Sequence, residues 1–504
     1  TLGGIGRSFA YDALGRKTFE SHPSSSAGTN YQYDALDRIV RVTNSDSTSR
    51  AISYGAGSAT VTDERGNSTG YSYRSYGDPA QQFLMSVAAP DSSASLGMAR
   101  NARDLVTAVT QGGLTRTYGY NGNYYLTSVT HPETGVISYG RDAAGNMTSR
   151  TVGSAGTTTY TYNGQNLLTN ATYPGSTPSV TKTYTRTNKL SRVASSDATR
   201  TYTYDGNDNL RSETLSVDTV TLTAGYNYNG NDQLSSIDYP RSGKNIAYGP
   251  DSLGRPTQVS GYIGAVSYWA SGQIKQLNYV NGVTTEYGQN SRLWPSTFRT
   301  TKGIALLVNT GYSYDGVGNL TQIADASNPN FNRALRYDNV NRLTGADGPW
   351  GTGTIGYNGA GNITSQTFGS YGLNYSYDSL NRLAGVSGGR STTFTYDVYA
   401  NISAGFGTAY QYDGVPNLRC INCADVSNKI EYRYDGLAQR VSVTSAGVKT
   451  YEFYASNGNL LAEFMPSEGN RLTEYFYLGG KRVAQRELAA MVAAADKGAL
   501  VRTS

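Results

Sequence analysis

A Tyr-Asp pair recurs along the whole sequence, each time followed by residues that favour tight turns. Tyr11-Asp12-Ala13-Leu14-Gly15-Arg16 is the first copy and Tyr33-Asp34-Ala35-Leu36-Asp37-Arg38 is the second. Further anchors of this pattern are Tyr204-Asp205, Tyr314-Asp315 with Gly318, Tyr337-Asp338, Tyr377-Asp378 and Tyr434-Asp435. Together with the weaker copies between them, neighbouring anchors are mostly about twenty residues apart. Such regularity indicates an array of one small unit, not a set of independent domains.

Weaker copies fill the intervals between these anchors. We assign them to Tyr120, Tyr139, Tyr162, Tyr184, Tyr228, Tyr248, Tyr268, Tyr287, Tyr357, Tyr396, Tyr412, Tyr454 and Tyr477. The pattern degenerates around residues 76–114, where Leu96 to Leu105 has the form of a copy with Met98 in place of tyrosine. We therefore predict a repeat region over residues 1–486, followed by an Ala-rich tail over 487–504 that is helical or poorly ordered.

The local chemistry of the motif predicts a β-hairpin. Small polar and aromatic residues alternate before the anchor tyrosine, as in Thr201-Tyr202-Thr203-Tyr204. This alternation is the period-two pattern of a strand. The Asp carboxylate can accept a hydrogen bond from the backbone N–H two residues later, and Gly or Asn three residues after it tolerates a positive φ. Some twenty hairpins would give on the order of forty strands, too many for one flat open sheet.

Composition favours a nearly all-β chain with a thin, extended or hollow sheet. The 504 residues include 43 Tyr and 59 Gly but only 11 Phe, and 16% are charged. The formal charge of +5 is spread evenly, without the basic run that marks a nucleic-acid interface, so we expect no nucleic-acid partner. No apolar stretch is long enough for a membrane-spanning helix, so we expect no transmembrane segment.

The motif resembles the YD repeat of Rhs (rearrangement hot spot) proteins, of the C components of insecticidal toxin complexes, of bacterial wall-associated toxins and of teneurins. The resemblance covers roughly Phe9 to Arg486. It implies an all-β fold in which the hairpins form one continuous sheet that spirals into a hollow shell or barrel. In that family the shell commonly encloses a toxic C-terminal domain, or in teneurins presents an adhesive outer surface.

Two departures from the family are visible in the sequence. The family usually continues past the last repeats into an HxDxLGSP stretch and a cleavage motif containing Asp-Pro, and neither is present. The chain also begins at Thr1 without Met, which suggests a piece of a longer protein. No self-cleaving aspartate and no toxin cargo can therefore be assigned to these residues.

The residues that could suggest chemistry have structural interpretations. The anchor aspartates recur at one turn position, whereas a catalytic pair needs a singular environment, so we interpret them as turn residues. The tyrosines are expected to stack in ladders along one face of the sheet, with their hydroxyls reaching water or backbone, although an exposed aromatic stripe would also suit sugar rings. Cys420 and Cys423 form either a local disulfide or two free thiols, and His22 and His131 have no evident catalytic partner. We expect no catalytic, cofactor-binding or metal-binding residues.

The sequence thus predicts a structural shell or scaffold of a secreted bacterial protein, and not an enzyme. The expected partners are an enclosed effector or the remaining parts of the same polypeptide, with secretion-machinery components and cell-surface glycans as further candidates. The alternative is a cell-surface adhesion or carbohydrate-binding protein. Either function places the chain outside the cell, secreted or on the cell surface.

Overall fold

The structure, a computed structural model, describes residues 4–76 and 82–488. Within these residues the chain is built from antiparallel strands, and hydrogen bonding groups them into three sheets of 23, 13 and 10 strands. Two short 3-10 helices, Ser92–Ala94 and Pro329–Phe331, lie in connections between strands. The prediction of an all-β hairpin array is confirmed, although the expected single continuous sheet is divided into three.

The strands follow one another in the sheets in chain order. Strands β1 to β23 are Phe9–Tyr11, Lys17–Ser21, Gly28–Tyr33, Ile39–Thr43, Ser49–Gly55, Ser58–Thr62, Ser68–Arg74, Phe83–Ala88, Leu96–Arg100, Val106–Gln111, Leu114–Tyr120, Leu126–His131, Gly135–Arg141, Met147–Val152, Thr157–Tyr162, Leu168–Thr172, Val180–Tyr184, Leu190–Ala194, Thr199–Tyr204, Leu210–Val217, Val220–Tyr228, Leu234–Asp238 and Asn245–Ala247. Strands β24 to β36 are Ile263–Tyr268, Ile274–Tyr279, Val283–Gln289, Pro295–Lys302, Ala305–Tyr314, Leu320–Asp325, Arg333–Tyr337, Leu343–Asp347, Gly353–Tyr357, Ile363–Phe368, Tyr371–Tyr377, Leu383–Gly388 and Thr392–Thr393. Strands β37 to β46 are Thr395–Tyr396, Ile402–Gly405, Thr408–Tyr412, Leu418–Ile421, Ile430–Tyr434, Arg440–Ser445, Val448–Tyr454, Leu460–Met465, Arg471–Leu478 and Lys481–Leu488.

A β-bulge follows the turn of each well-formed repeat. In the β19–β20 hairpin Thr203 is opposite Ser212, whereas Tyr204 is opposite Leu210, so Arg211 is the extra residue. The same register shift occurs at the anchors Tyr33, Tyr314, Tyr337, Tyr377 and Tyr434. A bulge bends its strand and increases the local right-handed twist. The repeat therefore introduces extra twist at regular intervals along the sheets.

The chain divides into two compact units, each made from two distant segments. The first unit contains Thr1–Gly119 and Val266–Thr392. Within it, hairpin turns of one segment contact hairpin turns of the other. The Arg65 guanidinium donates to the Asp338 carbonyl at 2.8 Å, and the Arg342 guanidinium donates to the Asp91 carboxylate at 2.8 Å.

The second unit contains Tyr120–Ala265 and Thr393–Ser504, and it holds the most completely buried side chains. Large side chains that are less than 2% exposed are Arg200, Tyr239, Phe453, Phe464, Phe476, Leu215, Leu222, Ile246, Ile263, Leu461, Leu478 and Glu213. All of them lie in this unit. The charged residues Arg200, Glu213, Glu452 and Glu474 are all at most 1% exposed, so the core of this unit contains ionisable groups that hydrophobic patterning does not predict.

Four of the anchors assigned from sequence are wrong by two residues. The turns at Asn101, Asp142, Asp251 and Asn290 are preceded by Arg100, Arg141, Pro250 and Gln289, and not by Met98, Tyr139, Tyr248 and Tyr287. Alternate residues of a strand share a face, so a tyrosine two residues before the turn looks like the anchor. Arg100 serves as a substitute, because its Nε donates to the Leu84 carbonyl at 3.0 Å.

Strands are present in the region where the repeat motif degenerates and continue to the end of the predicted repeat region. The degenerate region around 76–114 contains β8, β9 and β10 and begins β11, so its hairpins persist where the motif is weak. Strand β46 extends two residues past Arg486, to Leu488. The rest of the predicted Ala-rich tail, residues 489–504, lies outside the described residues.

Candidate functional site

The anchor aspartates organise the hairpin turns through their carboxylates. Asp205 Oδ1 accepts the backbone N–H groups of Asn207 and Asn209, both at 2.9 Å. The Asn209 side chain donates to Asp205 Oδ2 at 3.1 Å, and these hydrogen bonds hold the pKa of Asp205 below its usual range, the Asn209 side chain contributing most. Asp208, three residues after the anchor, has φ of 64°. One carboxylate thus caps two backbone donors that the turn would otherwise leave unpaired.

The other predicted anchors have the same arrangement. Carboxylate oxygens accept backbone N–H groups two and four residues later at Asp12, Asp34, Asp315, Asp338, Asp378 and Asp435. Gly15 and Gly318 occupy the left-handed position, with φ of 77° and 99°. The geometry explains why glycine, Asn or Asp recurs three residues after the anchor.

A second set of contacts joins each turn to the next hairpin, and we call it the repeat junction. In one example, Arg38 Nε donates to Asp34 Oδ2 at 2.8 Å, which lowers the pKa of Asp34. The same guanidinium lies over the Tyr54 ring, 4.2 Å from its centroid. The Tyr54 hydroxyl donates to the Ile39 carbonyl at 3.0 Å. The junction therefore consists of an Asp and Arg of one turn and a Tyr of the next hairpin.

The tyrosine hydroxyl has the same target in eleven of the junctions within the described part of the chain. It donates to the carbonyl of the first strand residue after the preceding turn, beside the bulge. This bond is made by Tyr33, Tyr54, Tyr162, Tyr184, Tyr204, Tyr228, Tyr337, Tyr357, Tyr377, Tyr434 and Tyr477. The expectation that tyrosine hydroxyls reach the backbone is confirmed at these residues, and arginines lie over the rings of Tyr33, Tyr54, Tyr357 and Tyr434.

Replacing Tyr357 with Phe should lower the free energy of unfolding by about 1 kcal/mol, the net value of a single hydrogen bond. The substitution keeps the ring beneath Arg342, 4.9 Å from its centroid, but removes the bond to the Leu343 carbonyl at 2.8 Å. Urea denaturation followed by tyrosine fluorescence measures the change. Tyr371→Phe is the control, because that side chain is 45% exposed; equal effects of the two substitutions would contradict the assignment.

A buried ion cluster lies in the second unit, where strand β19 meets the turn after β41. Arg200 Nε donates to Asp435 Oδ2 at 2.9 Å, and its Nη1 lies 3.5 Å from Glu213 Oε2. Nη1 also donates to the Tyr454 carbonyl at 2.8 Å. Glu213 accepts the Ser456 backbone N–H at 3.1 Å. One anchor aspartate therefore both forms its turn and neutralises a buried arginine.

Burial raises the pKa of Glu213, while the Tyr226 hydroxyl and Arg200 act in the opposite direction. Because the folded state binds this proton more tightly than the unfolded state, the contribution is fully present below the ordinary value of 4.5. It is lost as the pH rises through the folded pKa. The cluster thus stabilises the fold best when Glu213 is protonated and the single Arg200–Asp435 pair carries the charge.

A third ionic site joins the β20–β21 turn to β41 and β43. The Asp218 carboxylate accepts from Arg433 Nη1 at 2.6 Å, Lys449 Nζ at 3.0 Å and the Tyr451 hydroxyl at 2.9 Å. These donors, Arg433 first, lower the pKa of Asp218 to about 2. The site links segments 120–265 and 393–504 of the second unit by charge.

Asp218→Asn should destabilise the protein at neutral pH and have no effect in strong acid. A lowered carboxyl pKa gives stability above the ordinary value of 3.8, and that stability is lost as the pH falls towards about 2. Asn keeps the left-handed backbone at this position, φ 52°. Urea titrations at neutral pH and near pH 2 measure the difference. Glu431→Gln, at an exposed pair with Lys429, is the control; a destabilisation independent of pH would contradict the prediction.

The remaining residues of interest lie apart from these sites. Cys420 and Cys423 are joined by a disulfide with a Cα–Cα distance of 5.7 Å, at the end of β40. His22 Nε2 is 3.1 Å from the Ser45 hydroxyl, and His131 ends β12. Within residues 4–76 and 82–488, no group of three or more His, Cys, Asp and Glu side chains is arranged to hold a metal ion. Nor does the described part of the chain contain a helix of the length and apolarity needed to cross a membrane.

Comparison with known proteins gives structural relatives alone. No protein-family model matches the chain, and no curated protein matches its sequence. The Tc holotoxin pore of Photorhabdus luminescens aligns with 95% of this chain at a TM-score of 0.70 and 12% identity, over 31% of its own chain. The crystal structure of TcdB2–TccC3 without its hypervariable C-terminal region aligns with 97% of this chain at a TM-score of 0.69 and 12% identity, over 30% of its own chain.

A further TcdB2–TccC3 crystal structure aligns with 95% of this chain at a TM-score of 0.59 and 13% identity. The chain spans about a third of the length of these toxin-complex chains, 30% to 31%. The likeness concerns the fold, because the identities are low. This chain has the fold of the toxin-complex segments with which it aligns, and that fold supports the resemblance to Rhs and YD-repeat proteins.

Proposed function

We propose that the chain is a structural shell or scaffold segment of a secreted bacterial YD-repeat protein, and that it has no catalytic activity of its own. In this function the repeats enclose an effector that belongs to the same polypeptide. The observation that carries the proposal is the repeat junction, in which a turn residue bound to the anchor aspartate and a tyrosine of the next hairpin couple successive hairpins, as at Asp34, Arg38 and Tyr54. The recurrence of these junction side chains is what we expect of residues that stabilise the sheet.

Two further observations support the proposal. The fold likeness to toxin-complex structures covers nearly the whole chain. The anchor carboxylates are filled by backbone and side-chain donors of their own turns, as at Asp205 and Asp378, so they are not free to act as general acids or bases.

Limited proteolysis of the whole natural polypeptide tests the enclosure. We expect an enclosed effector to be cleaved at least about tenfold more slowly inside the full chain than when expressed alone, because cleavage then waits for the shell to open. A variant that loosens the second unit, Arg200→Met, should restore cleavage. Equal cleavage rates in the full chain and in the isolated effector would overturn the proposal.

A carbohydrate-binding function is the second candidate, favoured by two exposed aromatic side chains of the first unit, one in the β31–β32 turn and one at the start of β34. Trp350 is 38% and Tyr371 is 45% exposed, and the backbone of the β31–β32 and β33–β34 turns is in contact, with Gly369 beside the Trp350 carbonyl. Aromatic faces of this kind suit sugar rings. Binding on a glycan array that is lost in Trp350→Ala and Tyr371→Ala, but retained in Tyr11→Ala, would favour this candidate over the scaffold.

A further inference from the structure

A cavity of about 290 Å³ opens in the second unit between strands β16–β18 and the turns after β39 and β41. Val180, Pro178, Val415 and Leu437 form an apolar part of its wall. Its size is at the lower end of small-molecule sites, which are typically apolar with a few placed polar groups. The polar groups of this cavity therefore decide what could bind there.

The acidic groups of the cavity are already neutralised. Asp413 Oδ2 accepts from Arg419 Nε at 2.6 Å, and its Oδ1 accepts the Val415 and Asn417 backbone N–H groups at 2.9 Å. The other arm of Arg419 is bound to Asp197 at 2.5 Å. Asp435 is occupied by its own turn and by Arg200. None of these carboxylates is left to balance a further cation.

Lys182 is the unbalanced charge of the cavity. Its side chain is half-buried on β17, and its ammonium group has no hydrogen-bond or ion-pair partner within the described residues. Burial lowers its pKa, and no nearby carboxylate offsets this effect. The Tyr173 hydroxyl, also in the wall, makes no hydrogen bond within the described part of the chain. Two donors on the cavity wall thus have no acceptor within the described residues, beside the apolar part of that wall.

We propose that this cavity is a binding site for a small apolar carboxylate, whose carboxylate accepts hydrogen bonds from Lys182 and Tyr173. A half-buried ammonium without a counter-charge is unfavourable, and an anion with hydrogen-bond acceptors removes that cost. The apolar wall selects a branched or flat hydrocarbon body over a bare inorganic anion. The carboxylate can come from a free organic acid or from the C-terminus of a peptide that ends in an apolar residue.

Titration calorimetry with 4-methylpentanoate, and with a tetrapeptide that ends in leucine, tests the site and separates the two sources. Each acid is compared with its uncharged amide, and we expect the acid to bind about tenfold or more tightly, because a charge-assisted hydrogen bond is lost in the amide. Tighter binding of the peptide acid identifies a chain terminus as the ligand; tighter binding of 4-methylpentanoate identifies a free acid. Equal affinities for acid and amide would overturn the proposal.

Variants assign the effect to the cavity. Lys182→Gln and Tyr173→Phe should weaken binding of the acid, whereas Lys189→Gln, in the exposed turn after the same strand, should leave it unchanged. A second measurement uses the unsubstituted chain with ¹³C-methylated lysines. Addition of 4-methylpentanoate should move the Lys182 signal and raise the Lys182 pKa, and unchanged Lys182 behaviour would refute the site.

Discussion

Arg200→Met should lower the free energy of unfolding by about 3–5 kcal/mol, because breaking a buried ion cluster leaves its remaining charges without compensation. Arg200 and Glu213 are fully buried and Asp435 is 6% exposed. Met retains most of the apolar stem but cannot donate to Asp435, Glu213 or the Tyr454 carbonyl. Two carboxyl groups would then share a dry site with no cation. Denaturation by urea, followed by circular dichroism, measures the loss.

Two comparisons separate this effect from a general loss of packing. Arg192→Met, on the exposed face of β18, should change the free energy of unfolding by no more than about 0.5 kcal/mol. Adding Glu213→Gln to Arg200→Met should recover part of the loss, since it removes one of the uncompensated carboxyl groups. A similar cost for Arg192→Met, or no recovery in the double variant, would contradict the interpretation.

Gly112→Ala should destabilise the first unit by about 2–4 kcal/mol, through a strained backbone and overpacking together. Gly112 lies in the β10–β11 turn with φ of 55°, and a Cβ there would lie 2.3 Å from the Ala360 nitrogen and 2.7 Å from its Cα. These are backbone atoms of a distant turn in the same unit, so no side-chain rotation relieves the clash. Thermal unfolding measures the change.

The adjacent glycine provides a matched control. Gly113 also has a positive φ, 80°, but a Cβ there would meet nothing within 4 Å. Gly113→Ala should therefore show the backbone strain alone, about 1 kcal/mol. If both substitutions lower the free energy of unfolding equally, the close contact between the β10–β11 turn and Ala360 does not contribute to stability. Amide hydrogen exchange at Ala360 should rise in Gly112→Ala alone.

The hairpin could be predicted from sequence because its determinants are local. Asp205 and the φ-positive Asp208 lie three residues apart, and the carboxylate reaches backbone donors within the same turn. Tertiary context has little to add to such a turn. The spacing between the anchor aspartate and the residue of positive φ was therefore sufficient to place the turns at the Tyr-Asp anchors, whereas four of the weaker copies were misplaced by two residues.

The junctions and the ion cluster depend on distant residues, and this is why the sequence did not predict them. The Tyr204 hydroxyl binds the Leu190 carbonyl, which requires the register of two consecutive hairpins and the bulge between them. Arg200 and Asp435 belong to segments that meet through the fold alone. One signal was present in the sequence, an Arg, Asn or Gln four residues after the anchor aspartate. Its side chain reaches the aspartate carboxylate or the following turn.

The repeat junction also has a mechanical consequence. A hairpin whose hydrogen bonds run to its neighbours in sequence can be peeled from an end, one strand after another, each step breaking a short row of bonds. The Asp218–Arg433 and Arg200–Asp435 contacts connect segments that such peeling would separate. Under tension these contacts resist peeling, because force must break several charged hydrogen bonds at once before the next strands can separate. The array would then yield in discrete events, set by a few long-range ion pairs and not by the number of repeats.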